Sequence, residues 1–394
     1  MKKIVTDINL KDKKVILRAD FNVPIENGII QDNTRITKAI ETIKYIVNEG
    51  GKLMILSHLG RIKTEEDKSK KTLELVHLEL EKLLNKKVYY VRATRGKQVE
   101  DTFNNLKSGE ILIIENTRWE DLNDKAESKN SPELGKYWAS LADVFINDAF
   151  GTLHRAHASN RGIAANIKES AIGFLVKKEL EALSPLVENI KKPYVSIIGG
   201  AKVTDKIKVL ENIAPLVDKL IIGGGMAYTF LNAQGKKIGN SLLDSESLEF
   251  SKKFYETYRD KIVLPIDFKV SKEFEDSKPI IQENEIEDGY QGLDVGPKSV
   301  DLFIKSLEDA KTIVWNGPLG VIEFENYKQG TIAIAHAIGK QKDCYSVIGG
   351  GDSASAVNKE KISHLFSHIS TGGGATLEFL KGSVLPGLEL IQEK

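Results

Sequence analysis

Residues 195–206 read V-S-I-I-G-G-A-K-V-T-D-K. The opening is apolar and β-prone, as a buried strand is. Gly199 and Gly200 then remove side chains where the backbone turns and another group can approach closely. A helix is expected next, with Lys202 and Lys206 at i and i+4. Two ammonium groups at that spacing share a face and repel by about a few tenths of a kcal/mol. Two readings stand open on this stretch. One is a solvated helix start softened by Asp205. The other is an anion site, where a polyanion at the helix N-terminus turns the repulsion into attraction.

Working outward, the same rhythm of apolar run, polar or glycine loop, then helical stripe fills the chain. Strands are predicted over 14–17, 53–56, 111–114 and 144–146, and again over 194–198, 220–222, 262–264, 313–315 and 346–348. Ile36, Ile40, Ile43 and Val47 form one helical stripe after the N-cap candidates Asp32, Asn33 and Thr34, and Gly50 and Gly51 close it. Leu73, Val76, Leu80 and Leu83 form another, and Ser131-Pro132 reads as an N-cap and first helical position. Strands alternating with helices predict parallel α/β sheets covered on both faces. Leu175, Leu180, Leu183 and Leu186 predict one long helix over 168–187 that joins two halves.

The 394 residues suffice for two or three domains, and 41% hydrophobic with 28% charged residues suits a globular chain. Lys plus Arg equals Asp plus Glu at 56 each, so no global field favours nucleic acid or an anionic membrane. Any anion site must be built locally. The single cysteine, Cys344, rules out an intramolecular disulfide and reads as a core residue on a strand. The first residues lack an apolar signal core and no run reaches the length of a membrane span, so a cytoplasmic protein is expected.

In open α/β sheets ligands collect at the carboxyl ends of strands. There the first half offers Asp20, Asn22, Arg35, His58, Arg61, Arg118 and Arg155. Arginine forks bind carboxylate and phosphate bidentately, and Asp20 and Asn22 can accept from a hydroxyl. A small phosphorylated carboxylic acid satisfies the whole set. His154 and His157 lack further ligands for a metal, and His364 with His368 reads as structural. The second half offers glycine clusters at 199–200, 223–225, 349–351 and 372–374, whose backbone N–H groups can nest phosphate. Asp352 follows the third at a helix start, as an N-cap or as the carboxylate that holds Mg²⁺ beside phosphates. Residues 314–323, V-W-N-G-P-L-G-V-I-E, form an apolar loop suited to flank a nucleobase, with Glu323 on ribose hydroxyls. Neither a P-loop nor the G-x-G-x-x-G turn of a dehydrogenase is present. A nucleotide-binding interaction protein would keep the glycines but has no use for Lys202 or the arginines.

The chain resembles the phosphoglycerate kinases. The resemblance rests on R-A-D-F-N-V-P at 18–24, S-H-L-G-R at 57–61, E-N-T-R at 115–118, N-D-A-F-G-T-L-H-R-A-H-A-S at 147–159, G-G-A-K-V-T-D-K at 199–206, G-G-G-M-A at 223–227, V-W-N-G-P-L-G-V-I-E at 314–323, G-G-G-D-S at 349–353 and T-G-G-G-A at 371–375. Ile62 and Leu153 depart from the family pattern, at positions that are neither charged nor glycine.

The resemblance implies two Rossmann-like three-layer domains with parallel sheets, joined by a hinge helix. It implies a phosphoglycerate-binding domain over 1–170, with 377–394 packing back on it, and a nucleotide-binding domain over 171–376. The implied reaction is 1,3-bisphosphoglycerate plus MgADP to 3-phosphoglycerate plus MgATP, in a monomer that needs Mg²⁺ and no nucleic acid or membrane. Asp20, Asn22, Arg35, His58, Arg61, Arg118 and Arg155 match the phosphoglycerate ligands. Arg35, Lys202, Gly351 and Gly374 match the groups around the transferring phosphoryl. Gly200, Ala201, Lys206, Gly224, Gly292, Leu293, Asn316, Pro318, Glu323, Gly350, Gly351, Asp352 and Ser353 match the nucleotide site, with Asp352 on Mg²⁺.

Overall fold

The computed structural model describes all 394 residues. They divide into two compact units, Met1–Glu181 with Val384–Lys394, and Ala182–Ser383. No helix is long and apolar enough to cross a membrane.

The first unit contains β1 (Lys14–Arg18), a small hairpin of β2 (Ile25–Glu26) and β3 (Ile29–Ile30), then β4 (Lys52–Leu56), β5 (Val88–Val91), β6 (Ile111–Ile114), β7 (Val144–Asn147) and β8 (Glu169–Ile172). Six of these form one sheet in the order β5-β6-β4-β1-β7-β8. Every pairing in it is parallel. A parallel sheet is covered on both faces, so its strands read as continuous apolar runs. K-V-I-L-R of β1 is such a run, buried from Val15 to Arg18. The helix Thr34–Asn48 buries Ile36, Ala39, Thr42, Ile43 and Ile46, a single stripe at helical spacing. The helix Pro132–Ser140 starts as read, with Ser131 Oγ accepting from Leu134 N and Pro132 at the first position. The C-terminal segment belongs to this unit. Lys3 N donates to Gln392 O at 2.8 Å, and Lys394 N to Met1 O at 2.9 Å.

The second unit contains β9 (Tyr194–Ile198), β10 (Lys219–Ile222), β11 (Ile262–Val263), β12 (Asp267–Ser271), β13 (Ile280–Glu283), β14 (Gln291–Val295), β15 (Thr312–Asn316), β16 (Tyr345–Gly349) and β17 (His368–Ile369). Its main sheet runs β11-β10-β9-β15-β16-β17, again all parallel. Counted within the sheet, that is the doubly wound order 3-2-1-4-5-6, whose switch point lies between β9 and β15. A three-stranded antiparallel sheet, β13-β12-β14, packs its own small core around Phe268, Val270, Ile286 and Tyr228.

Three expectations are corrected. Residues 168–187 are not one helix. They form β8, the helix Phe174–Leu183 and a tight turn over Ser184–Leu186. Glu169–Ile172 pairs with β7 instead, and Gly173 packs so closely on Asp148 that a Cβ there would lie 2.2 Å from its carboxyl carbon. The leucine spacing had concealed a four-residue strand. Second, Lys202 and Lys206 do not share a helix. Lys202 lies in the loop after β9, Thr204–Lys206 is a single tight turn, and the helix begins at Ile207. Asp244 holds that turn, accepting from Thr204 N at 2.8 Å and Thr204 Oγ1 at 2.7 Å. Third, Cys344 lies one residue ahead of β16, packed partly buried against the second unit's core. Burial pushes its thiol up to about 11, so it stays protonated and inert at neutral pH.

Candidate functional site

In the first unit the carboxyl ends of β1, β4, β6 and β7 carry the charged set. Asp20 follows β1 and is its hub. Its Oδ2 accepts from Arg35 NH1 at 2.9 Å, and its Oδ1 accepts from Asn22 N at 3.2 Å. Asn22 Oδ1 accepts from Gly60 N at 2.7 Å, and Gly60 O accepts from Arg118 NH1 at 2.7 Å. His58 Nδ1 lies 3.9 Å from Asp20 Oδ1. Arg155 Nε donates to His154 Nε2 at 3.0 Å, and its guanidinium adds to the positive field on His157 and Arg118. Arg61 stands exposed beside Gly60, its backbone oxygen taken by Lys71 Nζ. Six of the seven expected residues are thus tied by contacts or by mutual electrostatics, and Arg61 follows from its neighbour.

Burial shapes the charges here. His58 is 5% exposed and held well below the ordinary histidine range, first by desolvation and then by Arg18, Arg118, His157 and Arg35. His157 is pushed down to about 3, first by burial and then by Arg18, Arg118 and Arg155. Both are neutral at pH 7. Arg118 leaves its buried Nε without a partner. A buried unpaired donor beside a cluster of cations suits an anion's oxygen.

Arg18 was passed over in the sequence because it reads as the last residue of an apolar strand. It is fully buried, with Nε donating to Ser159 Oγ at 2.7 Å and NH2 reaching His58 Nδ1 at 3.2 Å. Glu127, also fully buried, accepts from Ser159 N at 2.9 Å and Ser159 Oγ at 2.5 Å. A buried Arg in a strand is the signal that could have found this network, since such a charge needs a partner.

In the second unit the switch point is built from backbone. Gly199 ends β9, and its N donates to Asn316 O at 2.8 Å. A Cβ on Gly199 would lie 2.1 Å from Pro318 O, and one on Gly317 would lie 2.1 Å from Gly199 O. The β9 and β15 turns therefore interlock at a distance only glycine permits. Beside them opens a cavity of about 470 Å³ lined by Gly200, Ala201, Gly224, Gly225, Tyr228, Asn240, Leu242, Phe274, Gln291, Gly292, Leu293, Pro318, Leu319, Gly320, Val321, Glu323 and Asp352. Of the residues expected around a nucleotide, Gly200, Ala201, Gly224, Gly292, Leu293, Pro318, Glu323 and Asp352 line it directly. Asn240, Gln291 and Phe274 were missed, because they belong to or border the antiparallel sheet that the chain's βα rhythm hid.

The other expected residues do not line this cavity but adjoin residues that do, as Gly351 and Ser353 flank Asp352. Lys206 Nζ donates to Asn316 Oδ1 at 2.5 Å, and Gly317 N to Ser353 Oγ at 2.9 Å. Gly350 precedes the helix Gly351–Lys359, which carries exposed Asp352 in its first turn. Gly374 lies in the first turn of the helix Gly373–Leu380, and a Cβ on Gly373 would come within 3.0 Å of Gly350 Cα. Asn316 Nδ2 is buried without a partner. Lys206 is lowered, first by desolvation, against the pull of Asp205 and Asp352. Lys202 is exposed at the loop. The glycine cradle, the unsatisfied amide of Asn316 and a half-buried lysine fit a phosphate chain. No group of three or more His, Cys, Asp or Glu is placed to hold a metal. A single carboxylate such as Asp352 suits Mg²⁺ only where phosphate oxygens and water complete its shell.

An α/β protein with a cationic acid-type site in one unit and a glycine-walled, phosphate-type cradle in the other has the parts of a small-molecule phosphotransferase. The phosphoglycerate kinase family model matches residues 5–383, and the chain belongs to that family. It is 52% identical to the phosphoglycerate kinase of Lacticaseibacillus casei over 394 residues, covering all of both chains. It is also 52% identical to that of Enterococcus faecalis over 395 residues, again covering both in full. The solved phosphoglycerate kinase of Coxiella burnetii superposes with a TM-score of 0.87 at 38% identity, covering 99% of each chain. That of Pyrococcus horikoshii gives 0.86 at 32% identity, covering 100% of this chain and 98% of the other. The protein is a kinase that acts on small-molecule substrates, a nucleotide among them.

Proposed function

We propose that the chain transfers a phosphoryl group reversibly between 1,3-bisphosphoglycerate and MgADP, yielding 3-phosphoglycerate and MgATP. The observation that carries this is the pairing, within one chain, of a side-chain-built cationic cluster around Asp20 and a backbone-built cradle at the β9/β15 switch point. The first suits a small, doubly anionic acid; the second suits a phosphate chain.

Under this reading the unit Met1–Glu181 with Val384–Lys394 takes the phosphoglycerate and Ala182–Ser383 takes the nucleotide. Arg61, Arg118 and Arg155 neutralise the acid's phosphate and carboxylate. Asp20, already anchored by Arg35, accepts from its hydroxyl, and Asn22 fixes the Gly60 turn against it. Leu242, Leu293, Pro318 and Val321 enclose the base, and Glu323 accepts from the ribose. Lys206 and the backbone N–H groups of Gly351 and Gly374 hold the nucleotide phosphates. Asp352 would hold Mg²⁺, whose part is to neutralise charge between those phosphates.

The acceptor in either direction is an ionised carboxylate or phosphate, so no general base is needed. What remains is in-line positioning and neutralisation of charge on the equatorial oxygens, supplied by Arg35 and Lys202. Water competes with the acceptor in an open site, which favours closure of the two units only when both substrates are bound. A coupled assay with purified protein, Mg²⁺, ATP and 3-phosphoglycerate tests the reaction; sustained turnover is expected, and none overturns the proposal. Small-angle scattering with and without both substrates tests closure. Superimposable profiles would remove it.

A further inference from the structure

We propose that Arg18 locks His58 in one tautomer, so that His58 presents a permanent N–H to the bound acid and never acts as its base. This rests on the reading of the first unit as the phosphoglycerate site. Every hydrogen-bond direction along the buried chain is fixed by chemistry. Glu127 is an acceptor, so Ser159 Oγ donates to it at 2.5 Å. That commits the hydroxyl hydrogen, and Ser159 Oγ in turn accepts from Arg18 Nε at 2.7 Å. A guanidinium has only donors. Its contact with His58 Nδ1, at 3.2 Å, therefore makes Nδ1 the acceptor. The ring proton of neutral His58 then sits on Nε2.

The obvious competitor is Asp20. A carboxylate beside an imidazole ordinarily captures Nδ1–H and leaves Nε2 as an acceptor or base. Here Asp20 Oδ1 is 3.9 Å from Nδ1, outside hydrogen-bond reach. Its oxygens are already engaged by Arg35 NH1 and Asn22 N. The usual polarity of a His–Asp pair is reversed by an arginine. The charged and titratable groups around His58 reinforce this: Arg18, Arg118, Arg35 and His157 oppose a second proton, with Asp20 the near carboxylate. Burial adds to their effect. His58 is thus a neutral donor across the working pH range, matched to an acceptor oxygen on the substrate. Glu127 and Ser159 are positioning residues for it, as Arg18 is.

The chain has seven histidines, so selective ¹⁵N-histidine labelling gives a resolvable set of ring signals, with His58→Gln assigning the one of interest. In the ligand-free wild-type protein at neutral pH, long-range ¹H–¹⁵N spectra should show a pyridine-type Nδ1 and a pyrrole-type Nε2 for His58. An Nδ1–H tautomer, or an imidazolium, overturns the proposal without any variant having to fold. Adding 3-phosphoglycerate should shift Nε2 and leave the tautomer unchanged. A tautomer as expected with no shift on addition overturns the donor role and the siting of the acid here, while the Arg18 contact stands. In Arg18→Met, folded by circular dichroism, the donor to Nδ1 is gone and His58 is freed toward Asp20. The Nδ1–H form should appear, and the KM for phosphoglycerate should rise about ten- to a hundredfold. An unchanged tautomer in that variant overturns the lock. Glu127→Gln, which keeps an acceptor for Ser159, should retain the wild-type tautomer; loss of it there would show that the charge of Glu127, not donor direction along the chain, sets the ring, and would overturn the lock.

Discussion

The two candidate sites answer the same problem, binding multiply charged anions in a chain of zero net charge, by different means. The first unit uses side chains: four arginines, two buried neutral histidines and a hub carboxylate, with Arg18 and Glu127 buried to hold them. The second uses the main chain, with glycines at the ends of β9, β10 and β16 and the lysines Lys202 and Lys206 beside them. Side-chain sites are electrostatic and depend on which groups are ionised. Backbone sites are steric and depend on what the α-carbon carries. The two should therefore fail differently under mutation, salt and pH.

Under the proposed reaction the largest expected effect comes from Lys202, exposed in the loop after β9, because charge placed on a phosphoryl group in transfer acts on the transition state rather than on binding. Lys202→Ala should lower kcat by roughly a thousandfold, by analogy with other lost transition-state charges. Since Lys202 is exposed in a loop, thermal unfolding should be unchanged. Stopped-time assays beside a melting curve check both, and kcat within tenfold of wild type would remove Lys202 from the chemistry. Next comes Arg118→Gln in the first unit. Losing a charged donor costs about 1.5–3 kcal/mol, or some ten- to a hundredfold in phosphoglycerate affinity. Nucleotide affinity should not move. Calorimetric titration of each ligand separately tests the contrast, and equal losses for both ligands would break it. Added salt should likewise weaken phosphoglycerate more than nucleotide, because exposed arginines are screened and a cradle of amides is not.

Acid should distinguish the two units by sign. His58 and His157 are depressed below 6.5 in the folded state, so below that pH the unfolded chain binds protons that the native chain refuses. Their contribution to stability is full above about pH 6.5 and is lost as the pH falls. Asp148 in the first unit and Asp294 in the second are pushed up to about 6 by burial. There the native state holds the extra proton, so stability rises as pH falls from about 6 toward 3.8. On acidification from neutrality the first unit thus loses stability first, through its histidines. The second unit has no buried histidine; its Asp294 gains over the same range, and its lowered carboxylates, such as Asp244 held by Thr204 and Ser247, lose their contribution only as the pH falls through the carboxylate range. Hydrogen exchange, corrected for intrinsic rates, should show β1 amides losing protection before β9 amides. The opposite order would refute this.

How much of this was legible in the sequence follows the same division. Most parallel strands of both main sheets were readable because a strand buried on both faces is a continuous apolar run, as in Val15–Leu17 and Ile111–Ile114, whereas the edge strand β5, with half-buried Tyr89 and Tyr90, was not. The antiparallel β12–β14 was not, since Asp267, Lys269 and Asp294 interrupt its runs and give no alternation long enough to count. β8 was hidden under the leucine spacing that follows it. For the sites, glycine clusters and strand-end arginines stand out as residue types at expected places. Arg18 does not, because its role comes from Ser159 and Glu127, far along the chain, and no local spacing encodes that contact. The false helix at Lys202–Lys206 has a similar cause: Asp244 holds the Thr204 turn from 40 residues away.

The smallest effect on the fold, and the sharpest test of the backbone reading, comes from Gly351. Its neighbours in the cradle cannot carry a side chain, since a Cβ on Gly224, at φ +64°, would lie 2.7 Å from Gly200 N. Any variant there confounds folding with binding. Gly351 differs. It sits at the start of the helix Gly351–Lys359, its φ lies outside the left-handed region, and a Cβ would meet nothing within 4 Å. Gly351→Ala should therefore leave stability unchanged or raise it by up to about 1 kcal/mol, since alanine costs the unfolded chain entropy. The open space is the point. If phosphate oxygens approach the Gly351 N–H, a methyl there intrudes on them and on nothing else. Nucleotide affinity should fall several-fold while phosphoglycerate affinity and the melting temperature hold. A variant that binds nucleotide as the wild type does would place the phosphates away from this helix, and would leave the cradle of Gly199, Gly200 and Gly224 as a packing device alone.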